Sequence, residues 1–273
     1  MAFENMVNKV IENANKNITF HENDYLKDGL WHCYKCHTPK EVVIQTIGKV
    51  KTLCACEVAE RDEKDRKERV SRLRDRCIPD KALHQYTFVN DDGKNQSLTT
   101  LAKLYVENFD EYNKQGKGIL LYGGVGVGKT YMTVCIANAL IDRGIRCFLT
   151  DFSRIGRDWE REYGHKEDYL QRLNANDVLI IDDLGVERDS QFMQEMMFSV
   201  IDYRLRAKKP LIVTTNLTAK DFTAPTDAQK ERIYSRLFEA CIAQHCDGED
   251  RRRAEAKKAR QEINRKIDEQ LKQ

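Results

Sequence analysis

Short, nearly uninterrupted apolar runs recur through the middle of the chain: GILLYG (118–123), IRCFLT (145–150), DVLIID (177–182) and PLIVTTN (210–216). Runs this short and this apolar are the pattern of strands buried on both faces. Between them apolar residues fall three and four apart, the spacing of a helix with one face inward. Leu98 to Phe109 reads as such a helix, followed by a turn through Gln115 and Gly116. Tyr131 to Arg143 reads as another, with Ile136, Ala137 and Leu140 on one face and Gly144 closing it. Phe192 to Ala207 is a third. Strands alternating with helices predict parallel crossovers, so the fold class expected is α/β, a parallel sheet with helices on both faces.

The flanks follow different patterns. From Glu57 to Arg76, 15 of 20 residues are charged and none is Gly or Pro, which predicts an exposed linker helix. Its apolar positions are too sparse for a coiled-coil seam, so it reads as a solvated tether that Pro79 punctuates. After Arg251 the chain is again highly charged, with Ile263, Ile267 and Leu271 four apart on one side of a terminal helix. These shifts divide the chain into 1–56, a small N-terminal module; 57–76, the linker helix; 77–253, the α/β domain; and 254–273, the charged helix.

Composition narrows the classes. The 273 residues are 41% hydrophobic, enough for a packed core, and 33% charged, which implies a heavily solvated surface. A net charge of +2 means that nucleic-acid affinity would have to come from local basic patches. No window of membrane-spanning length is apolar, and MAFENMVNKV lacks a signal peptide's apolar stretch, so a cytoplasmic protein with no membrane partner is expected.

In a reducing compartment, closely paired cysteines point to metal rather than to disulfides. Of nine cysteines, Cys33 pairs with Cys36 and, after 17 intervening residues, Cys54 with Cys56. Two close pairs of soft thiolates suit tetrahedral Zn²⁺, and EVVIQTIGKV between them reads as a hairpin arm, giving a zinc-ribbon-like domain. His32 or His37 could replace one thiolate. Four protein ligands leave no open position, so the zinc is expected to be structural. Cys135 and Cys147 sit in apolar surroundings and read as small buried side chains.

The central chemistry lies directly after the first strand and before a helix. GGVGVGKT satisfies G-x-x-x-x-G-K-[ST]. Gly123, Gly124, Val125, Gly126, Val127, Gly128, Lys129, Thr130 and the following Tyr131 form the predicted phosphate cradle for ATP. Its backbone N–H groups and helix N-terminus face the phosphates, Lys129 reaches the β/γ-phosphates, and Thr130 ligates Mg²⁺. VLIIDDLG follows 53 residues after the lysine and supplies Asp182 for Mg²⁺ and Asp183 to orient the attacking water. Asn216, 34 residues past Asp182, ends the fourth strand, where an amide can position that water. Arg232 and Arg236 share a helix face, either as solvated arginines or with one acting as an arginine finger toward a neighbouring subunit. One of Arg251, Arg252 and Arg253 is a candidate nucleotide contact in cis.

Together GGVGVGKT, IDDLG, TTN and RIYSRL resemble the AAA+ ATPases of the bacterial replicative helicase-loader type (DnaC and DnaI), related to the transposition helper IstB. CIPDKALHQYTFVND, MFSVIDYRLRAKKPLIVTTNLT and DGEDRRR resemble further parts of that family, so the likeness runs over roughly residues 77–253. In DGEDRRR, Arg251 stands where an aromatic is usual, which makes Arg252 the better match to the family's second sensor. The resemblance implies a P-loop AAA+ sheet of five parallel strands, ATP binding with slow hydrolysis, self-association through the ATPase domain, and two partners: a hexameric replicative helicase and single-stranded DNA. It also implies a DNA-contacting helix after the second strand. There Arg154, Arg157, Arg161, Trp159 and Tyr163 offer charge and stacking surface, unless the segment is a mixed-charge surface helix with its aromatics packed inward. Loaders of the DnaI sort carry a zinc-bearing N-terminal domain that engages the helicase. The function expected is therefore helicase loading, with an IstB-like transposition helper or a nucleotide-gated adaptor as alternatives.

Overall fold

The computed structural model describes residues 18–162, 164–187, 190–225 and 227–271, with residues 9, 12 and 16 of the preceding stretch. The chain forms two compact units, Met1–Ser71 and Arg72–Gln273.

The first unit is built from two antiparallel hairpins, β1 (Tyr25–Lys27) with β2 (Leu30–His32), and β3 (Glu41–Ile44) with β4 (Gly48–Lys51). Asp28 and Gly29 both take positive φ, the two-residue turn that matches strand twist. Among the described residues apolar burial is thin: Cys33, Val50 and Cys54 are the buried hydrophobic ones of this unit. Trp31 stacks on Phe20 at 5.2 Å. Lys40 is buried between Asp24 at 3.2 Å and Glu57 at 2.8 Å, and it also donates to the Thr19 carbonyl. Burial alone would lower its pKa; the two carboxylates outweigh that and lift it to about 12.

Helix α1 (Ala55–Cys77) contains the charged segment and buries only Cys77. Beyond it, a turn of 3₁₀ helix (Lys81–Gln85) leads to α2 (Gln96–Glu107) and α3 (Phe109–Gln115). The helix expected at 98–109 is α2, which stops at Glu107, and the short α3 fills the stretch before Gly116. Asn108 ends α2 by turning its own amide back onto the Leu104 carbonyl.

The second unit is centred on a five-stranded sheet in the order β6-β7-β8-β5-β9, every neighbouring pair parallel. The strands are β5 (Gly118–Gly123), β6 (Cys147–Thr150), β7 (Val178–Leu184), β8 (Leu211–Thr215) and β9 (Cys241–Cys246). The helices between them are α4 (Lys129–Asp142), α5 (Phe152–Arg161), α6 (Lys166–Asn174), α7 (Gln191–Arg206), α8 (Ala219–Thr223) and α9 (Ala228–Ala240). Helix α10 (Arg251–Leu271) ends the chain, with Ile263 and Ile267 exposed. Ile119–Leu121, Val178–Ile181 and Leu211–Thr215 are fully buried, which accounts for their uniform hydrophobicity up to the chemical ends of the strands. Strand β9 lacked such a run because it is an edge: Cys241 and Cys246 are buried, while Ile242 is 40% exposed.

Two features sit at opposite ends of this sheet. Where β7 meets β8 the register slips between Ile181 and Leu184, a bulge at the two acids. Near the starts of β7 and β8, Arg204 is fully buried and donates to the Asn174 side chain and to the carbonyls of Asn176, Asp177 and Pro210. No described helix is long and apolar enough to cross a membrane.

Candidate functional site

The loop after β5 is shaped by glycines that touch backbone or side chains. Gly126 (φ 75°) lies so close to Asp250 that a Cβ would collide with that carboxylate, and Gly128 (φ 100°) begins α4 in a left-handed conformation. Within this loop Lys129 is buried, and its ammonium donates to the carbonyls of Gly123 (2.9 Å) and Gly124 (2.6 Å) and to Asn216 Oδ1 (2.8 Å). Burial lowers its pKa, against the opposing charges of Asp182 and Asp183. Val127 is buried and Val125 exposed, so the loop is anchored on one side and open on the other. Tyr131 donates to the Thr87 carbonyl and packs on Tyr86, tying the start of α4 to the segment that leads into the unit.

Thr130 Oγ1 donates to Asp182 Oδ1 at 3.0 Å. A hydroxyl and a carboxylate converging at a helix N-terminus are the hard oxygen set that Mg²⁺ takes, so these residues fit the ion. Burial raises the Asp182 carboxyl above its ordinary range, although hydrogen bonds from Thr214 and Thr130 pull the other way. Asp183 follows with φ 54° and an exposed side chain. Residues 87 and 52 positions apart are thus brought together: Lys129 with Asn216, and Thr130 with Asp182.

Sequence reasoning favoured Arg252 as the arginine at the nucleotide. The structure lays the Arg251 guanidinium against Gly128, donates the Arg251 N–H to the Gly126 carbonyl, and pairs the side chain with Asp92 at 3.1 Å. Arg252 has an exposed side chain, and its charge is felt at Lys129, whose pKa burial and that charge both lower. Arg232 and Arg236 find partners on α7 and α9: Arg236 pairs with Asp202 (3.3 Å) and Glu239 (2.8 Å), and Arg232 lies 4.7 Å over the Phe198 ring.

On α5 the helical wheel separates the charged and aromatic residues. Arg154, Arg157 and Arg161 are exposed on one face, whereas Trp159 is only 6% exposed and meets Tyr169 edge-on in the core. Trp159 therefore gives no stacking surface; the inward-packed alternative describes it. Tyr163 lies outside the described residues.

In the first unit the sulfurs of Cys33, Cys36, Cys54 and Cys56 all lie within 4.8 Å of one another. The Cys33–Cys56 and Cys54–Cys56 separations are 3.6 and 3.2 Å. A tetrahedron with Zn–S bonds of about 2.3 Å has edges of about 3.8 Å, so the four thiols fit zinc. His32 and His37 are engaged elsewhere, with the Leu30 carbonyl and the Tyr25 hydroxyl. Hydrogen bonding to Thr38 holds the Cys36 thiol down to about 5, while burial pushes Cys54 up. The other five cysteines are buried.

Residues 38–259 match the family described as IstB-like ATP binding protein. The chain belongs to that family. It is an AAA+ ATPase related to the DnaC and DnaI helicase loaders, and membership carries the capacity to bind ATP. Among its relatives, Phage-like element PBSX protein XkdC of Bacillus subtilis is 28% identical over 75% of this chain and 79% of its own length. The replicative helicase loader DnaI of Bacillus subtilis is 26% identical over 61% of this chain and 58% of its own length. For the helicase loader DnaC of Escherichia coli the figures are 28%, 50% and 55%, so the chain spans little more than half of either loader. The crystal structure of the DnaC helicase loader superposes with a TM-score of 0.51 at 24% identity, over 61% of this chain and 99% of that one. That likeness concerns the fold alone.

Sequence reasoning did not reach Thr214, whose hydroxyl bonds both acids, or Asp92, which holds Arg251. A signal for the first was visible: two hydroxyls inside an otherwise aliphatic buried strand.

Proposed function

We propose that this protein is an ATP-dependent loader of a replicative DNA helicase onto single-stranded DNA. One observation carries the reading: two neighbouring residues of the phosphate loop each bond a strand end, Lys129 to Asn216 and Thr130 to Asp182, in a chain related to named helicase loaders. In it the Gly123–Thr130 backbone and Lys129 bind the phosphates, with Thr130 and Asp182 as the Mg²⁺ ligands. When bound, the ion neutralises charge developing on the β- and γ-oxygens. Asp183 and Asn216 orient the attacking water. Asp183 is one methylene shorter than the glutamate common at this place, which suits a slow switch; turnover at motor-like rates by the unaltered protein would contradict that.

Four functional segments are proposed: 1–56, a zinc module that contacts the helicase; 57–76, a linker; 77–253, the AAA+ domain; and 254–273, a charged helix. ATP binding drives self-association through the AAA+ domain, and hydrolysis drives release. Arg232, held by a ring rather than by a carboxylate, is the better candidate than Arg236 to reach a neighbour's nucleotide. Arg154, Arg157 and Arg161 supply phosphate contacts to single-stranded DNA. The protein works in the cytoplasm.

The IstB-like family match favours a second reading, a transposition helper acting on duplex DNA. Co-purification with replicative helicases, with and without ATP, separates the two. Nucleotide-dependent capture of a helicase supports the loader; failure to capture any, together with tighter duplex than single-strand binding, supports the helper. Tight ATP binding without hydrolysis, even with DNA and helicase present, would make the protein a nucleotide-gated adaptor.

A further inference from the structure

The bulge at the end of β7 is held by a residue outside the expected site. In the parallel pairing of β7 and β8, Ile181 stands opposite Val213, and Leu184 opposite Thr215. Three steps of β7 therefore run against two of β8, and the surplus falls on Asp182 and Asp183. An extra residue costs the ladder its regular hydrogen bonds and re-aims the side chains beside it. Here two consecutive threonines of β8 make good the loss. Thr214, fully buried, donates its hydroxyl proton to Asp182 Oδ1 at 2.5 Å and accepts the Asp183 N–H at 2.9 Å. Thr215, equally buried, donates to the Leu184 carbonyl at 2.6 Å and accepts from the Leu217 N–H at 3.1 Å.

The Thr214 hydroxyl has one proton, and Asp182 takes it. Its oxygen then has a lone pair free for the Asp183 N–H, so a single group fixes both acids, each through a different function. That second bond matters because Asp183 sits at φ 54°, a left-handed conformation that costs any non-glycine residue something, Asp less than most, and that the bond helps to hold. The first bond aims the Asp182 carboxylate, whose Oδ1 also accepts from Thr130 across the phosphate loop. No other strand-end side chain in the site bonds both acids among the described residues.

We propose that Thr214 is a positioning residue for the acidic pair: it orients the Asp182 carboxylate as a metal ligand and sets the backbone turn that presents Asp183. The inference rests on the ATPase reading above. It predicts that the hydroxyl, rather than the bulk, of residue 214 governs how tightly Mg²⁺ is held with nucleotide and how fast the bound nucleotide reacts.

The test uses the full chain with Thr214→Val, which keeps the branched shape, and Thr214→Ser, which keeps the hydroxyl. Two quantities are read: binding of a fluorescent, non-hydrolysable ATP analogue across a Mg²⁺ titration, and kcat and KM for ATP. For Thr214→Val, analogue binding without Mg²⁺ should match wild type. The Mg²⁺ midpoint should rise, and kcat fall, about tenfold to a hundredfold, the usual effect of removing a partner that orients a metal ligand, while KM stays near wild type. Thr214→Ser should restore both to within about threefold of wild type. A wild-type Mg²⁺ midpoint and kcat in Thr214→Val would overturn the proposal. So would a serine variant as impaired as the valine, since that would assign the role to the methyl group. Should the valine variant fail to fold by circular dichroism, Thr214→Ala is compared with Thr214→Ser on the same terms. A wild-type protein that binds no analogue at any Mg²⁺ concentration would remove the ATPase reading, and this inference with it.

Discussion

Arg204 sets a quantitative test of what holds the sheet. Its guanidinium is fully buried, makes no ion pair among the described residues, and donates to four oxygens on three elements: the end of α6, the approach to β7, and Pro210 just before β8, while its Nε–H finds no partner among them. Burial works against the charge and lowers the pKa to about 10. Keeping an ion inside costs several kcal/mol unless its surroundings satisfy it. Against it stand four charge-assisted hydrogen bonds, each contributing about 1.5–3 kcal/mol. Each of those buried oxygens left without its donor costs about 1–3 kcal/mol. Arg204→Met keeps most of the bulk and removes every donor, so it should destabilise the protein by about 3 kcal/mol and leave buried carbonyls unsatisfied. For a unit of about 200 residues that is a fall of about 6–12 °C in Tm. Arg204→Lys retains a charge and up to three donors without the planar fork, and should fall between. Thermal and urea unfolding followed by circular dichroism would measure both. A methionine variant as stable as wild type, or more stable, would refute the reasoning, because it would mean that desolvation of the charge outweighs its bonds.

Further outcomes follow from the other sites. Burial holds Asp182 above its ordinary carboxylate range, so its contribution to stability is complete below the unfolded-state pKa of about 4 and is lost as pH rises through the folded value. Asp182→Asn should therefore raise the Tm of nucleotide-free protein at pH 7 while abolishing ATP hydrolysis, and the gain should vanish below about pH 4; a lower Tm at pH 7 would contradict this. Elemental analysis should find a single zinc ion per chain, lost in Cys33→Ser or Cys54→Ser, and a metal-free wild type would end the assignment. Replacing Arg154, Arg157 and Arg161 together by Glu should weaken single-strand binding and flatten its salt dependence by about two units of slope, since each single-strand phosphate contact adds about 0.7. Unchanged affinity and slope would remove that face from the DNA path.

Much of the site was legible because strand ends in a parallel sheet announce themselves: an aliphatic run must stop where its chemistry begins, as at Gly123, Asp182 and Asn216. Strand β9 escaped notice because an edge strand beside β5 needs only one face buried, and CIAQHC is apolar only in part. Trp159 was ambiguous because its spacing from Arg154, Arg157 and Arg161 leaves its direction open until the partner is known, here Tyr169 on the next helix. That Arg251 is the arginine laid against Gly128 has a reason no pattern contains. Asp250 caps the first turn of α10, which fixes where the helix begins and so which of three adjacent arginines turns toward Gly128.

The burial of Trp159 has a practical consequence. The chain has two tryptophans, and each unit holds one: Trp31, half-exposed and stacked on Phe20, in the first, and Trp159, sealed in the core, in the second. Their emission should differ in colour, with the sealed indole bluer. Trp31→Phe and Trp159→Phe would then turn the protein into a pair of single-colour reporters, so that loss of the zinc module and melting of the nucleotide sheet can be watched separately in one chain without any added label.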